Sequence, residues 1–321
     1  EPLPVSASAF EMQVDHEQYE STSWSTTDTA RGVSKTLELR PLVGSIHATV
    51  TLDGMGVPGI PVTVDSQHTA NPERKTTTED GSVTLSELPV GSYTIQPSLE
   101  DYPSQFSAGQ ASVTVRDDET ARAKITIEFD YRLSSAAKDR VRTLRSRTDD
   151  IGTVSRRDGA IPAYYASVVE SIADVATEVP NSGYPLLVAG VSPDEVVGAV
   201  LDAGEVAAET ISDVMTSKRN VDLFSACSDL ESVSVTWQGQ LSVSRVTELA
   251  TQDIGQQRGE ILDHLETVDE RISASVSDMA EVSPAREMWE AVRTMVRDNT
   301  GATQVQSAAL IAVAEALLDA I

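Results

Sequence analysis

Between residues 41 and 130 six short runs alternate apolar and polar residues: Ile46–Val50, Ile60–Val64, Val83–Leu85, Tyr93–Ile95, Ala111–Val115 and Ala123–Ile127. A period of two puts every second side chain on one face of a strand. Residues that turn a chain separate the runs: Asp53-Gly54, Pro58-Gly59, Asp80-Gly81 and Pro89-Val90-Gly91. Strands at this spacing with these breakers predict an all-β sandwich over 41–130. Asp80-Gly81 supplies a turn that tolerates positive φ. Leu88 is expected to plug the core before the chain reverses, and Tyr93 and Ile95 to point the same way on the next strand.

The motifs in this stretch are linked. Gly44-Ser45-Ile46 leads to Gly56-Val57-Pro58-Gly59-Ile60-Pro61-Val62-Thr63-Val64. Thr78-Glu79-Asp80-Gly81-Ser82-Val83 follows, then Leu88-Pro89-Val90-Gly91-Ser92-Tyr93-Thr94-Ile95 and Asp101-Tyr102. With these residues, 43–102 resembles the carboxypeptidase regulatory-like domain, a small transthyretin-like sandwich. Val83 stands where that family usually has an aromatic residue. The resemblance implies a structural or adhesive module, commonly attached to exported proteins, and it brings no catalytic residues to carry over.

The flanks read differently. Residues 1–40 look extended, with loose alternation in 5–14 and 35–39 and a Ser/Thr-rich loop over 21–30 that contains Trp24. Residues 131–321 read as mostly helical. One helix is expected from about Ser135 to Asp150, and one from Pro162 to Val179. Ser192-Pro193-Asp194-Glu195 starts another, with Ser at the cap and Glu three positions on. In that helix Gly198 and Gly204 either weaken it by about 1 kcal/mol each relative to Ala or mark close packing. Alternation at Val233, Val235, Trp237, Leu241 and Val243 suggests a hairpin over 231–246. A long coiled-coil-like helix is expected over 246–282, with Ile254, Ile261, Leu265, Val268, Ile272 and Met279 in a seven-residue repeat. Two helices follow, 283–298 and 302–321. The fold class is therefore α+β and multidomain: an extended N-terminal segment, 1–40, a transthyretin-like or Ig-like sandwich, 41–130, and a helical domain, 131–321.

Charge bounds the partners. Fifty Asp and Glu face 24 Lys and Arg among 321 residues, a net charge of −26. Nucleic-acid binding needs the opposite sign. Only Lys35, Lys75, Lys124, Lys138 and Lys218 are lysines, and the acids are spread along the chain. A compact chain of this mass has a surface of roughly 13,000 Å². At 1 M salt the Debye length shrinks to about 3 Å, so self-repulsion at that charge density is silenced. The pattern resembles proteins of halophilic archaea. No run approaches the roughly 18 apolar residues of a membrane span; the apolar stretch 186–191 is far too short, and reads as core or as a brief interfacial element. The start Glu1-Pro2-Leu3-Pro4 suits a mature protein after signal removal, and a membrane anchor downstream is an open possibility.

No motif in the sequence forms a catalytic site. His16, His47, His68 and His264 are scattered, with no zinc spacing. His16-Glu17 lacks the second His of a metalloprotease helix. Cys227 is the only cysteine, so no intrachain disulfide forms, and no basic neighbour activates it. No cofactor is implied. Asp117, Asp118 and Glu119, and Glu79-Asp80, are weak Ca²⁺ candidates through oxygen ligands. The segment 131–160 carries eight basic residues against four acidic, including Arg140, Arg142, Arg145 and Arg147. These arginines either dock an acidic partner or anionic surface, or pair internally. The heptad residues offer a seam for self-association or a protein partner. The expectation is a non-catalytic, salt-adapted, extracellular or cell-surface structural or adhesion protein. The alternatives are a spike-like protein of an archaeal virus or vesicle, and an accessory part of a secreted enzyme.

Overall fold

The computed structural model describes residues 10–27, 36–66, 72–158, 160–217, 241–275, 283–298 and 303–319. Two compact units result. One takes in the chain to Glu100 together with Ser107–Glu128; the other takes Asp101–Phe106 and everything from Phe129 onward.

The first unit is a β-sandwich with a separate hairpin. Strands β1 (Phe10–His16) and β2 (Tyr19–Thr26) pair antiparallel as a two-stranded ribbon, with Met12 opposite Trp24. The Ser/Thr-rich stretch expected as a loop is thus a strand from Tyr19 to Thr26. Its Thr residues and Trp24 are good strand formers on a half-exposed ribbon, and low hydrophobicity hid the alternation. Backbone bonds from Glu20 N to Arg40 O (2.8 Å) and from Leu42 N to Gln18 O (2.9 Å) tie the ribbon to the segment that enters the sandwich. The alternation expected over 35–39 forms no strand from Thr36 on.

In the sandwich, β3 (Val43–Leu52), β4 (Met55–Gly56), β7 (Ser82–Pro89), β9 (Phe106–Ala108) and β11 (Thr120–Phe129) form one sheet. Strand β3 is its centre, antiparallel to β7 and parallel to β11 with Ile125 opposite Val50. The second sheet runs β10 (Ala111–Val115), β8 (Gly91–Pro97), β5 (Pro61–Ser66), β6 (Glu73–Thr76), all antiparallel. All six alternating runs contribute strands. Their inward residues Ile46, Ala48, Val50, Val62, Val64, Leu85, Ile95, Ile125 and Ile127 are buried, each large one contributing about 1.5–3 kcal/mol. Leu88 and Tyr93 are buried as expected, and the Tyr93 hydroxyl donates to the Pro89 carbonyl at 2.8 Å. Strand β6 escaped the sequence reading because all four of its residues are exposed.

Gly81 has φ +76, and a Cβ there would lie 2.5 Å from the Val57 nitrogen, so only glycine fits. Beside it Asp80 organises the turn. Its carboxylate accepts from the Thr78 hydroxyl (2.6 Å), the Ser82 hydroxyl (2.7 Å) and the Ser82 N–H (3.0 Å).

The second unit holds eight helices among the described residues: α1 (Ser135–Asp158), α2 (Ala160–Glu178), α3 (Gly183–Ala189), α4 (Pro193–Ser217), α5 (Val243–Thr251), α6 (Ile254–Ser275), α7 (Ser283–Arg297) and α8 (Gln304–Asp319). Helix α8 packs against α2, α4, α5, α6 and α7. Its Val305, Ala308, Ala309, Ile311, Ala312, Val313, Ala314 and Leu317 are all buried, the pattern of a helix enclosed on every side. A capping box starts it: Gln306 N donates to Thr303 Oγ1 (3.2 Å) and Thr303 N to Gln306 Oε1 (3.0 Å). In the apolar stretch 186–191, Leu186 and Leu187 are fully buried core, while Val188 is exposed. Gly204 marks close packing, since a Cβ there would lie 2.7 Å from Ile172 Cγ2 and 2.8 Å from Leu144 Cδ2. A Cβ at Gly198 would meet nothing within 4 Å among the described residues.

Three helical expectations change. Helix α1 runs on to Asp158, past Asp150. The single helix over 246–282 is broken at Gln252-Asp253 into α5 and α6, because the Asp253 carboxylate caps a new start by accepting from Gly255 N (2.9 Å) and Gln256 N (3.4 Å). The hairpin over 231–246 falls partly outside the described residues. Its described end is helical, since Ser242 caps α5 by accepting from Arg245 N at 3.1 Å.

Candidate functional site

Two arginines of α1 reach acids on neighbouring helices. Arg140 reaches two carboxylates one turn apart on α4: its Nη2 lies 2.6 Å from Asp202 Oδ1 and its Nε 2.8 Å from Glu205 Oε1. The hydrogen bond to Glu205, chiefly, raises the guanidinium's pKa. Arg145 pairs with Asp174 of α2 at 2.7 Å, and Arg142 with Asp139 on its own helix at 2.7 Å. Arg147 is exposed and has no acidic partner among the described residues. Three of the four candidate arginines therefore make pairs inside the helical unit. Arg142–Asp139 is well exposed on both sides, so its stabilisation is at most about 1 kcal/mol.

The heptad residues divide. Ile261 and Leu265 are 1% exposed and lie on α6, which packs on α7 and α8. That part of the seam is core of this chain. Ile254 begins α6 and is half-buried. The surroundings of Val268 and Ile272, and all of Met279, lie outside the described residues, as does Cys227.

Asp117, Asp118 and Glu119 form the exposed turn between β10 and β11, with Asp118 at φ +54. Glu119 faces Arg116 at 3.8 Å. Asp80 is committed to its own turn, and Glu79 beside it is exposed. Among the described residues no three His, Cys, Asp or Glu side chains come together to hold a metal ion, so the Ca²⁺ candidates do not converge. Ligand number is what a Ca²⁺ site needs.

His16 and Glu17 lie at the β1–β2 turn, not on a helix. Asp15, His16, Glu17, Gln18, Tyr19 and Ser21 line an open depression there. Asp15 accepts from Ser21 and Gln13, which hold its carboxyl below the ordinary range. His16 Nδ1 accepts from Gln18 N (3.1 Å), and its ring stands edge-on to Tyr19 at 5.2 Å.

Two polar contacts of the second unit were not legible beforehand. The Tyr131 hydroxyl donates to Asp194 Oδ1 at 2.9 Å; burial first and this bond second push the phenol far above its ordinary pKa. Tyr131 closes an aromatic series in which Phe106 stacks on Phe129 at 4.8 Å and Phe129 on Tyr131 at 6.2 Å. The second contact joins Arg245 of α5 to Glu315 of α8. Nothing in a lone Glu on an apolar helix announces its partner 70 residues away.

The sandwich carries a match to a known domain family. Residues 45–128 match the model of the carboxypeptidase regulatory-like domain. This segment is a carboxypeptidase regulatory-like domain. The match reaches beyond the 43–102 read from the motifs, because β10 and β11 complete the sheets. Comparison with curated proteins gives no match. Among solved structures, the TIE protein of Bacillus anthracis is similar at 17% identity over 35% of this chain and 20% of its own, with a TM-score of 0.26. The minor pilin of the gram-positive pathogen Streptococcus agalactiae is similar at 12% identity over 37% of this chain and 57% of its own, also with a TM-score of 0.26. The chain thus spans a fifth of the first and little more than half of the second. No described helix is long and apolar enough to cross a membrane.

Proposed function

We propose that the chain is a salt-adapted, non-catalytic structural or adhesion module that works outside the cell or at its surface. The match of residues 45–128 to the carboxypeptidase regulatory-like domain carries this reading. That family implies a structural module on exported proteins. The pairing of Arg140 with Asp202 and Glu205 of α4, and of Arg145 with Asp174 of α2, gives the basic segment a structural role inside the helical unit. The net charge of −26 supports the salt adaptation.

Circular dichroism of the purified chain at about 3 M and about 0.2 M KCl tests the salt dependence, because the Debye length at the lower concentration is about 7 Å and at the higher below about 3 Å. The native spectrum is expected at high salt and its loss at low salt. An identical spectrum and melting temperature in both would overturn the salt adaptation.

A further inference from the structure

Glycine puts no side chain between its own amide and the carboxyl of a preceding aspartate, so an Asp-Gly pair is where a backbone nitrogen reaches that carboxyl with least hindrance. The sequence holds three such pairs, Asp53-Gly54, Asp80-Gly81 and Asp158-Gly159, and no Asn-Gly. Gly159 lies outside the described residues. The other two pairs are both turns of the sandwich unit, and the fold treats them in opposite ways.

Asp53 and Gly54 are the whole turn between β3 and β4, where Leu52 pairs with Met55. Their φ values of +52 and +85 are both positive, as a two-residue hairpin turn of this hand requires. Asp53 is exposed, and its carboxylate makes no hydrogen bond or ion pair among the described residues. The Gly54 N–H donates no hydrogen bond among them either, and a Cβ on Gly54 would meet nothing within 4 Å. At Asp80-Gly81 both reacting groups are engaged. The Asp80 carboxylate accepts three hydrogen bonds from Thr78 and Ser82, and the Gly81 N–H donates to the Thr78 carbonyl at 2.9 Å. Gly81 is also walled in: a Cβ there would lie 2.5 Å from Val57 N and 2.6 Å from Val50 O. The bonds to Asp80 keep its carboxyl ionised down to about pH 2, and an ionised carboxylate has no hydroxyl to release as water.

We infer that Asp53-Gly54 is a site of spontaneous isoaspartate formation, and that the fold protects Asp80-Gly81 from the same reaction. The Gly54 nitrogen gives up its proton to solvent and attacks Asp53 Cγ. The N–Cγ bond forms, a Cγ–O bond breaks, and water leaves to give a five-membered succinimide. Water then adds to one of the two ring carbonyls and breaks one C–N bond. Opening at Cγ restores aspartate. Opening at the Asp53 backbone carbonyl carbon leaves the chain running through the side chain, one methylene longer. Water is the only co-reactant, and the net mass is unchanged. In a two-residue turn the added methylene disturbs the register of Leu52 with Met55, so the β3–β4 corner is where this domain ages. This inference stands apart from the place of the chain in or outside the cell.

The test incubates the full chain, warm, at about neutral pH and high salt, and then digests it with trypsin. Cleavage after Arg74 and Lys75 puts Asp53 and Asp80 on separate peptides. Isoaspartate is read by methyl transfer from an isoaspartyl methyltransferase and located by electron-transfer fragmentation. It is expected to accumulate at Asp53 and to stay at background at Asp80. In chain unfolded with urea the two sites should react at similar rates, because the protection of Asp80 is structural. No isoaspartate at Asp53 in the folded chain, equal accumulation at both sites in the folded chain, or the same excess at Asp53 in the unfolded chain would each overturn the inference.

Discussion

Arg245 grips Glu315 with two parallel bonds, Nη2 to Oε1 at 2.7 Å and Nε to Oε2 at 3.0 Å, while the Glu315 side chain is 2% exposed. A fork-shaped guanidinium matches a carboxylate in this way and no lysine could. The pair joins α5 to the enclosed helix α8. Removing one partner of a buried pair leaves the other uncompensated, at a cost of about 3–5 kcal/mol. Arg245→Ala is expected to lower stability by that amount in denaturant unfolding. Replacing both, as Arg245→Met/Glu315→Leu, should recover most of it. Equal losses in the single and double variants would contradict this account of the pair.

Helix α4 offers two glycines with opposite expectations. Gly198→Ala places its methyl in open space and should stabilise by up to about 1 kcal/mol. Gly204→Ala drives its methyl into Ile172 and Leu144 and should destabilise by about 1–3 kcal/mol. Thermal unfolding of the two variants should shift in opposite directions.

Thr51 is buried on β3, and its hydroxyl has no hydrogen-bond partner among the described residues. A buried unsatisfied group costs about 1–3 kcal/mol. Thr51→Val keeps the branched shape and removes that cost, so its denaturant midpoint should rise. A drop would show that the hydroxyl has a partner in solution.

The three bonds to Asp80, with Thr78 the largest influence, lower its pKa from 3.8 to about 2. A carboxyl depressed in the folded state contributes stability that is present above 3.8 and lost as pH falls through about 2. The acid limb of the stability curve should therefore be shallower in Asp80→Asn than in the parent chain. A carboxyl carbon resonance of Asp80 that titrates near 3.8 would contradict the cause.

The sandwich was legible because its inward residues are apolar and its outward ones polar, so period two shows directly at Ile46–Val50 and Ala123–Ile127. Strands β2 and β6 were not, because the ribbon and the outer edge bury too little to mark a face: Ser21, Ser23 and Ser25 alternate with half-exposed Thr22 and Trp24. The break in the helix expected over 246–282 was not legible for the opposite reason. Ile254, Ile261 and Leu265 do keep helical spacing, and that regularity masked the Asp253 cap, which was readable as an Asp just before an apolar residue. The pairing of Arg140 and Arg145 was half legible: the basic surplus on α1 showed, but the partners Asp202, Glu205 and Asp174 could not be told from the many other acids.

The central claim is a module displayed outside the cell, and the most direct measurement is its labelling on intact producing cells with a membrane-impermeant amine reagent. Five lysines are available in the sequence, and Lys75 is about half exposed. The account predicts labelled chain on intact cells, or in the medium, without lysis. Labelling that appears only after the cells are broken would contradict it.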